Sequence, residues 1–387
     1  MSVVLKPGRD KSLRARHPWI FSGAIATLPP LENGAVCSVY SHEGEFLAKA
    51  YFHQENSISG RVLTFKDEPL LDAIRSSLRN AIRFRTLLVN KRFTNCYRLV
   101  NAESDNLPGL IVDIYDDLAV MQINTCGMEK LKSTIVTLLQ ELLPLRGLYE
   151  KSHSSARKAE GLLNAKGPLF GECPSDVLVK ENGLSFLVDI EEGQKTGFFL
   201  DQRMMRQLVR KLAKHRRVLN CFSYSGGFSI AALRGGASYV VSVDSSERAC
   251  RYARENTLLN HIPLSQHEVV TADVFEYLKT IDSSFNLIIL DPPAFAKRRQ
   301  EVTAACRGYK QINRSAFEKL PSGSYLLTSS CSHFIDENLF GQLIFQAALE
   351  AGRDVRVCAR HIQAPDHPLS LFHPEGHYLK SLLLYIS

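Results

Sequence analysis

The stretch LTSSCSH, residues 327–333, places Cys331 among small hydroxyl residues at the end of an apolar run. A thiolate is a strong nucleophile, so a cysteine displayed at the end of a strand could carry covalent catalysis. Cysteine is also one of the residue types most often buried as a small apolar side chain. That second interpretation suits Cys221, Cys250 and Cys358. It suits Cys331 less well, because the neighbouring serines make a poor apolar wall.

Four more residues with ligand-binding chemistry follow predicted strands in the same part of the chain. From about residue 216, short β-rich runs alternate with helical ones, which predicts a parallel sheet wrapped by helices. Gly226, Asp244, Asp273 and Asp291 each stand at or just after a predicted strand end. Any one aspartate could instead be a helix N-cap. Because ligands of such sheets bind beyond the carboxyl ends of the strands, all four together predict one binding site.

The glycine turn SYSGG, residues 223–227, and the acid that follows it indicate an adenosine-containing ligand. Gly226 allows a tight turn, and Asp244 stands near the offset of about twenty residues at which an acid binds ribose hydroxyls. The G-x-G-x-x-G fingerprint that cradles a pyrophosphate is missing, which argues against a dinucleotide enzyme. S-adenosylmethionine has no phosphate and suits a looser turn. We therefore predict it as the cofactor, held by Phe222, Tyr224, Gly226, Asp244, Asp273 and Asp291.

The segment DPPAF, residues 291–295, predicts a rigid turn at the mouth of this site. Its prolines cannot donate backbone hydrogen bonds, and Asp291 and Phe295 flank them. A planar base could stack on Phe295 and be hydrogen-bonded by Asp291. The basic residues that follow, with an aromatic among them, favour a single-stranded or flipped-out nucleic acid, although the outward members could form a solvated helix face. The predicted substrate contacts are Phe295, Lys297, Arg298, Arg307, Tyr309 and Lys310.

Composition limits the class of protein. The chain has 387 residues, which favours two or three domains, and a net charge of +7, which favours a polyanionic partner. Its nine cysteines contain no C-x-x-C pair and are odd in number, which argues against a zinc ribbon and a disulfide framework. No apolar run is long enough to span a bilayer, so we expect no membrane partner and a cytoplasmic location. No metal is predicted, because no common zinc spacing fits the histidines at 361, 367, 373 and 377.

Several runs, in order along nearly the whole chain, carry a family resemblance. They are EEGQKTGFFLDQR (191–203), NCFSYSGGFS (220–229), DPPAFAKRR (291–299), SSCS (329–332) and DHPLSLFHPEGHYLK (366–380). Together they resemble the bacterial 23S rRNA large-subunit methyltransferase I family, which are 5-methylcytosine enzymes. The resemblance implies S-adenosylmethionine as cofactor, 23S ribosomal RNA as partner, and a homodimer.

The resemblance also implies an α/β protein of three domains. A PUA-like RNA-binding β-barrel would cover residues 1–68, a central α+β domain 69–188, and a Rossmann-like methyltransferase domain 189–387. Residues 70–92 predict a basic amphipathic helix as the connector. In GQKTGFFLDQR the resemblance implies a lid in which Lys195 contacts the substrate and Gln202 the cofactor. A connector between a hairpin and a helix is the alternative for this segment.

Cytosine methylation would give the cysteine its role. Carbon 5 of cytosine is a weak nucleophile, and a thiolate that adds to carbon 6 activates it. The resemblance assigns that thiolate to Cys331, and Asp291 is expected to orient the base. Two alternatives stay open. The first is a methyltransferase acting on a guanine nitrogen, since DPP resembles the tetrads of amino methyltransferases. The second is a non-catalytic RNA-binding ribosome-assembly factor. Only the cytosine reaction requires Cys331.

Overall fold

The computed structural model describes residues 2–387, which divide into two compact units. The first unit contains the described part of Met1–Val179 together with Val188–Leu200 and Pro365–Gly376. The second unit contains Lys180–Leu187, Asp201–Ala364 and His377–Ser387. Within residues 2–387, no helix has both the length and the apolar character that crossing a bilayer requires.

The amino-terminal part of the first unit is a six-stranded sheet in the order β2-β6-β5-β4-β1-β3. β1 and β4 are parallel, and the other neighbouring strands are antiparallel. Alternate residues point into its core, as half-buried strands require. Its elements are β1 (Ser2–Leu5), α1 (Lys11–Arg14), β2 (Trp19–Phe21), β3 (Ile25–Thr27), β4 (Val36–Tyr40), β5 (Phe46–Phe52) and β6 (Ile58–Thr64).

The rest of the first unit is a five-stranded sheet with helices, in the strand order β11-β10-β9-β8-β7. The predicted amphipathic helix is α2, which buries Ile74, Leu78 and Ala81 at helical spacing. The elements are α2 (Leu70–Leu88), β7 (Cys96–Asn101), β8 (Leu110–Tyr115), β9 (Leu118–Ile123), α3 (Cys126–Lys130), α4 (Lys132–Leu142), β10 (Gly147–Ser152), α5 (Ser155–Ala159) and β11 (Ala165–Gly171).

A hairpin follows, formed by β12 (Asp176–Glu181) and β13 (Leu184–Asp189). The division between the two units passes through it. Asn182 and Gly183 at its tip have φ angles of 52° and 77°. Two left-handed residues are what a two-residue hairpin turn with the native strand twist needs.

The second unit is a seven-stranded sheet in the order β16-β15-β14-β17-β18-β20-β19. The first five strands in this order are parallel, and β20 runs antiparallel to both of its neighbours. The predicted alternation of strands and helices is confirmed. The elements are α6 (Arg203–Leu212), β14 (Arg217–Cys221), α7 (Gly227–Arg234), β15 (Tyr239–Asp244), α8 (Glu247–Leu259), β16 (His267–Thr271), α9 (Val274–Thr280), β17 (Leu287–Leu290), α10 (Val302–Lys319), β18 (Ser324–Ser330), α11 (Glu337–Glu350), β19 (Val355–His361) and β20 (Lys380–Ile386).

The strand order locates the binding crevice of this sheet. β14 pairs with β15 on one side and with β17 on the other, so the direction of winding reverses between β14 and β17. Ligands of open α/β sheets bind at that switch point, beyond the carboxyl ends of the strands. The central strands bury apolar side chains, and Leu219, Ile288 and Leu326 are completely buried. Burial of each such side chain contributes about 1.5–3 kcal/mol, which makes this edge a rigid support.

One prediction about the core is wrong. Cys221 and Cys250 are buried as expected, but Cys358 is exposed. It lies on β19, which forms the outer edge of the sheet. A side chain on an edge strand can face solvent even within a β-rich run, because one neighbour is missing.

A buried ion pair supports the second unit. Arg206 on α6 donates from Nε and Nη2 to the carboxylate of Glu181 at 2.6 Å each, and both side chains are almost completely buried. We expect Glu181→Gln to lower the free energy of unfolding by about 3 kcal/mol, because a buried guanidinium then lacks its counter-charge. Urea unfolding followed by circular dichroism measures this. Glu276→Gln, which breaks the exposed pair with Lys279, is the control and should change it by less than about 0.5 kcal/mol.

Candidate active site

The turn after β14 has an unusual backbone. Phe222, Tyr224 and Gly226 have φ angles of 56°, 47° and 80°, all in the left-handed region. For a residue with a side chain this conformation costs on the order of 1–3 kcal/mol and is typical of ligand-binding turns. A Cβ on Gly226 would lie 3.1 Å from the Cβ of Ala253 on α8, so glycine allows both the conformation and the close packing.

Asp244, at the end of β15, holds this turn from the side. Its Oδ2 accepts from the backbone N–H of Tyr224 at 2.8 Å, and its Oδ1 accepts from that of Ser246 at 2.9 Å. Asn256 on α8 donates from Nδ2 to the carbonyl of Ser225 at 2.9 Å. The predicted residues of the glycine turn and Asp244 are therefore brought together, with the carboxylate only half-buried.

Asp273, which follows β16, is the exposed N-cap of α9. Its Oδ1 accepts from the backbone N–H of Glu276 at 3.1 Å. It thus stands at the same carboxyl edge of the sheet as Asp244, with the N-cap role that the sequence left open. One cap bond occupies a single lone pair of a carboxylate, so its other oxygen keeps its capacity to accept.

A chain of buried polar groups lies under the glycine turn, and sequence reasoning missed it. Asn220 donates to Ser229 at 2.8 Å, Ser229 and Ser242 are 2.6 Å apart, and Ser242 is 2.7 Å from Nε2 of His267. Thr257 completes the chain at Nδ1 of His267, 2.5 Å away. Burial lowers the pKa of His267 to about 4, so the ring is neutral at physiological pH. The network joins α7, α8 and three strands without adding charge to the core.

Asp291 and Gln202 meet at the end of β17. The Nε2 of Gln202 donates to Oδ1 of Asp291 at 2.9 Å, although 89 residues separate them. Gln202 is only 2% exposed, and its Oε1 has no hydrogen-bond partner within residues 2–387. A buried orphan acceptor costs free energy unless a ligand supplies a donor. The sequence carried one signal for Gln202, its place in the GQKTGFFLDQR run.

These residues fit S-adenosylmethionine. A left-handed turn gives close backbone approach, Asp244 gives a carboxylate for ribose hydroxyls, and the orphan oxygen of Gln202 beside Asp291 suits an ammonium group. Phosphate binding would require cations or a cluster of backbone N–H donors instead. These acceptor oxygens therefore match a cationic, hydroxylated ligand without phosphate.

Cys331 directly follows β18 and is half-buried. Its Sγ lies 3.9 Å from the carbonyl oxygen of Pro292, in the D-P-P turn after β17. Parallel pairing of β17 with β18 puts the two strand ends side by side. The prediction that Cys331 and Asp291 share one edge of the sheet agrees with this arrangement.

Lys380 is the residue next to Cys331 that sequence reasoning missed. It is the first residue of β20 and pairs in register with Ser330, the last residue of β18. Its Nζ donates to the carbonyl of Ser332 at 2.7 Å. Burial lowers the pKa of Lys380 to about 8, while the negative charges of Cys331 and Asp336 act in the opposite direction. An ammonium so placed stabilises a thiolate at Cys331.

Tyr309 corrects a substrate prediction. It is completely buried, and its hydroxyl lies 3.0 Å from the Oγ atoms of both Ser330 and Ser332. It has no surface to offer a substrate and instead fixes the backbone on both sides of Cys331. Its ring lies 4.6 Å from that of Phe295, which is half-buried in the same aromatic cluster.

The basic residues separate into three groups. Lys297, Arg298 and Arg307 are exposed after the D-P-P turn and on the first turns of α10. Lys310, further along that helix, donates to Glu350 on α11 at 2.8 Å. Lys310 is thus paired with an acid at the surface, and its contact with the substrate stays a prediction. Lys195 belongs to the first unit, where its Nζ lies 4.6 Å from the centre of the Phe199 ring.

One group of potential metal ligands exists within residues 2–387: His53, Cys126 and Glu160 in the first unit. Glu160 already interacts with Arg61, at 3.6 Å, and accepts from the backbone N–H of Cys126. Burial and the carboxylate of Glu160 raise the pKa of Cys126 to about 12. In this arrangement the thiol is protonated and the carboxylate is paired within the core.

Comparison with known proteins agrees with this geometry. Residues 164–368 match the family described as S-adenosylmethionine-dependent methyltransferase, and residues 3–65 match the PUA-like domain. The ribosomal RNA large subunit methyltransferase I of Escherichia coli strain SMS-3-5 is 42% identical over 98% of this chain and 97% of its own length. The chain belongs to this methyltransferase I family.

Solved structures carry the same architecture. A methyltransferase complexed with SAH is 26% identical, with a TM-score of 0.86 over 99% of both chains. A SAM-dependent methyltransferase from Streptococcus mutans is 25% identical, with a TM-score of 0.85 and the same coverage. The predicted family, the PUA-like and Rossmann-like fold class and the S-adenosylmethionine cofactor are confirmed.

Asp244 provides a test of the cofactor site. We expect Asp244→Asn to weaken S-adenosylmethionine binding at least about tenfold, because the change removes a charge-assisted hydrogen bond and loosens the Tyr224 turn. Isothermal titration calorimetry measures the affinity. Asp282→Asn is the control, since Asp282 is an exposed acid at the opposite end of the strands and should leave the affinity unchanged. Equal affinity in both variants would contradict the assignment.

Lys380 provides a test of thiol activation. We expect Lys380→Met to slow alkylation of Cys331 by iodoacetamide at pH 7 and to move the pH midpoint of alkylation upward, because the positive charge is gone. The difference should fade above about pH 8, where wild-type Lys380 loses its proton. Mass spectrometry of the labelled peptide reports the rate. Lys380→Arg should restore it, and an unchanged Lys380→Met profile would exclude this role.

Proposed function

We propose that this protein methylates carbon 5 of a cytosine in the 23S rRNA of the large ribosomal subunit. The relative at 42% identity is a ribosomal RNA large subunit methyltransferase, which supports the RNA class. The observation that carries the cytosine assignment is the position of Cys331. Its sulfur lies at the carboxyl edge of the sheet, 3.9 Å from the D-P-P turn and beside the buried cation of Lys380.

The reaction follows from the chemistry of the pyrimidine ring. The Cys331 thiolate adds to carbon 6, forming a carbon–sulfur bond and shifting the electron pair of the ring double bond to carbon 5. S-adenosylmethionine, when bound, supplies a methyl group that this nucleophilic carbon accepts as the methyl–sulfonium bond breaks. A base then removes the proton of carbon 5, the double bond re-forms, and the thiolate leaves carbon 6.

Neighbouring side chains serve these steps without changing covalently. Asp291 accepts from the amino group of the cytosine, and its bond to Gln202 fixes the orientation of the carboxylate. The hydroxyls of Ser330, Ser332 and Tyr309 hold the backbone that presents the sulfur. Phe295 presents an aromatic face, held by its contact with Tyr309, on which the base can stack.

Further assignments belong to the same proposal. The domains cover 1–68, 69–188 and 189–387, with the first binding RNA and Lys195 forming part of a lid over the substrate. Lys297, Arg298 and Arg307 neutralise phosphates near the target base. The protein acts in the cytoplasm, as a homodimer.

A covalent adduct tests this function. On 23S rRNA transcribed without modifications, we expect Cys331→Ser to abolish 5-methylcytosine formation while S-adenosylmethionine affinity is retained. With RNA containing 5-fluorocytidine, wild type should form a denaturant-resistant adduct, because carbon 5 then carries no removable proton. Nucleoside mass spectrometry and gel electrophoresis measure the two results.

The control for this test is Cys306→Ser, which changes a half-buried thiol on α10 and should keep activity and adduct formation. Full activity of Cys331→Ser with a methylated guanine as product would replace the proposal with the guanine-nitrogen alternative. Failure of wild type to bind S-adenosylmethionine would favour a non-catalytic assembly factor.

A further inference from the structure

The carboxyl-terminal end of α2 forms an exposed surface that the catalytic site does not use. We call it the α2-end surface, and its residues are Arg79, Arg83, Leu87, Lys91, Arg92 and Phe93. Arg79, Arg83 and Leu87 follow one another at intervals of four, so they lie along one outward stripe of the helix. Lys91, Arg92 and Phe93 lie in the turn that follows the helix and are also exposed.

The cations of the α2-end surface are unpaired. Within residues 2–387, no acidic side chain forms an ion pair with Arg79, Arg83, Lys91 or Arg92. Arg75, at the start of the same helix, pairs with Glu141 instead. Four positive charges without counter-charge repel one another, so this surface gains free energy from an anionic partner.

The α2-end surface is held rigidly from beneath. Arg85 is 1% exposed and donates to both carboxylate oxygens of Asp105, at 2.6 and 2.8 Å. It also donates to the carbonyls of Arg98 and Asp366, at 2.9 and 3.0 Å. An anchor with four hydrogen bonds fixes the last turns of α2. This surface is therefore ordered before a partner binds, so binding loses little further conformational entropy.

The turn after α2 is also fixed. The carbonyl of Asn90 accepts from the backbone N–H groups of Phe93 and Thr94, at 3.0 Å each. The side chain of Asn90 accepts from the backbone N–H of Arg92 at 3.1 Å. Lys91, Arg92 and Phe93 thus project from a closed turn and not from a loose loop.

Apolar side chains stand between these cations. Leu87 is 79% exposed and Phe93 is 49% exposed. The guanidinium carbon of Arg92 lies 5.4 Å from the centre of the Phe93 ring. An exposed aromatic ring flanked by cations matches the way proteins bind single-stranded nucleic acid, with bases stacked on rings and phosphates held by Arg and Lys.

We propose that the α2-end surface binds an unpaired segment of the RNA substrate, with its cations on the phosphates and Phe93 stacked on a base. The inference rests on the proposed function, which supplies RNA as the substrate class. A second copy of this chain fits poorly, because a two-fold contact would bring like charges together.

The test measures RNA affinity at several salt concentrations. Protein-free 23S rRNA transcript is titrated with full-length protein in filter-binding assays, from about 50 to 300 mM KCl. We expect the variant R79A/R83A/K91A/R92A to bind at least about tenfold more weakly, with a log–log salt slope shallower by about 2–3. Phe93→Ala should weaken binding about tenfold at an unchanged slope, because stacking releases no counterions.

The matched control removes the same number of cations elsewhere in the first unit. Arg75, Lys130, Arg146 and Lys166 are ion-paired with acids, and the variant R75A/K130A/R146A/K166A should change affinity less than about threefold. S-adenosylmethionine binding, measured by calorimetry, should be unchanged in every variant. This readout separates loss of the surface from loss of folding.

The outcomes separate this inference from the proposed function. If wild type binds the transcript and the α2-end variant keeps both its affinity and its slope, the surface is not an RNA contact and only this inference fails. If wild type does not bind the transcript, the proposed function itself fails. Binding of wild type to phosphatidylglycerol vesicles that is lost in the variant, with RNA affinity unchanged, would assign the surface to a membrane and overturn the inference.

Discussion

The hydrogen-bonded ladder on either side of β18 is the constraint on which the candidate active site depends. β17 runs parallel to β18 and delivers the D-P-P turn, whereas β20 runs antiparallel and delivers its first residue, Lys380. Cys331 emerges between them. Because side chains alternate along a strand, a slip of one residue in either pairing would turn the neighbouring groups to the other face of the sheet. Strand register therefore decides which groups surround the Cys331 thiol.

The same edge shows how opposing effects are balanced. Burial of the Lys380 ammonium disfavours its charged form, and the nearby negative charges of Cys331 and Asp336 favour it. The resulting pKa of Lys380 is about 8, so its side chain is mainly positively charged at neutral pH. The hydroxyl groups of Tyr309, Ser330 and Ser332 lie on either side of Cys331 along the chain. A carboxylate in their place would compete with the thiolate for the same positive charge.

Much of the site was predictable because its residues stand at strand ends within short motifs. The places of Gly226, Asp244 and Asp291 at the carboxyl edge of the sheet are predictable in this way, since the end of an apolar run marks the end of a strand. The prediction that Tyr309 contacts the substrate is wrong because it follows from the residue type alone and ignores the position of Tyr309 on the helix. On α10 the buried residues include Ala305, Tyr309 and Ile312, so Tyr309 lies on the stripe that faces the core.

Other features could not be predicted from local patterns. Lys380 becomes a neighbour of Cys331 only through the antiparallel pairing of β20 with β18, and no short motif encodes that pairing. The exposure of Cys358 depends on β19, not β20, being the edge of the sheet. The contact between Gln202 and Asp291 likewise joins distant segments. In each case strand order and register decide the neighbour, and these are set by the whole sheet.

The left-handed turn at Phe222, Tyr224 and Gly226 has a consequence for turnover. Its shape is fixed by Asp244 and by packing on α8, and in the proposed cofactor site it would contact the adenosine half of the methyl donor. The demethylated by-product keeps that half intact and loses only a methyl group and a positive charge. A rigid turn cannot distinguish the two by shape. We therefore expect the spent donor to compete with S-adenosylmethionine for this turn.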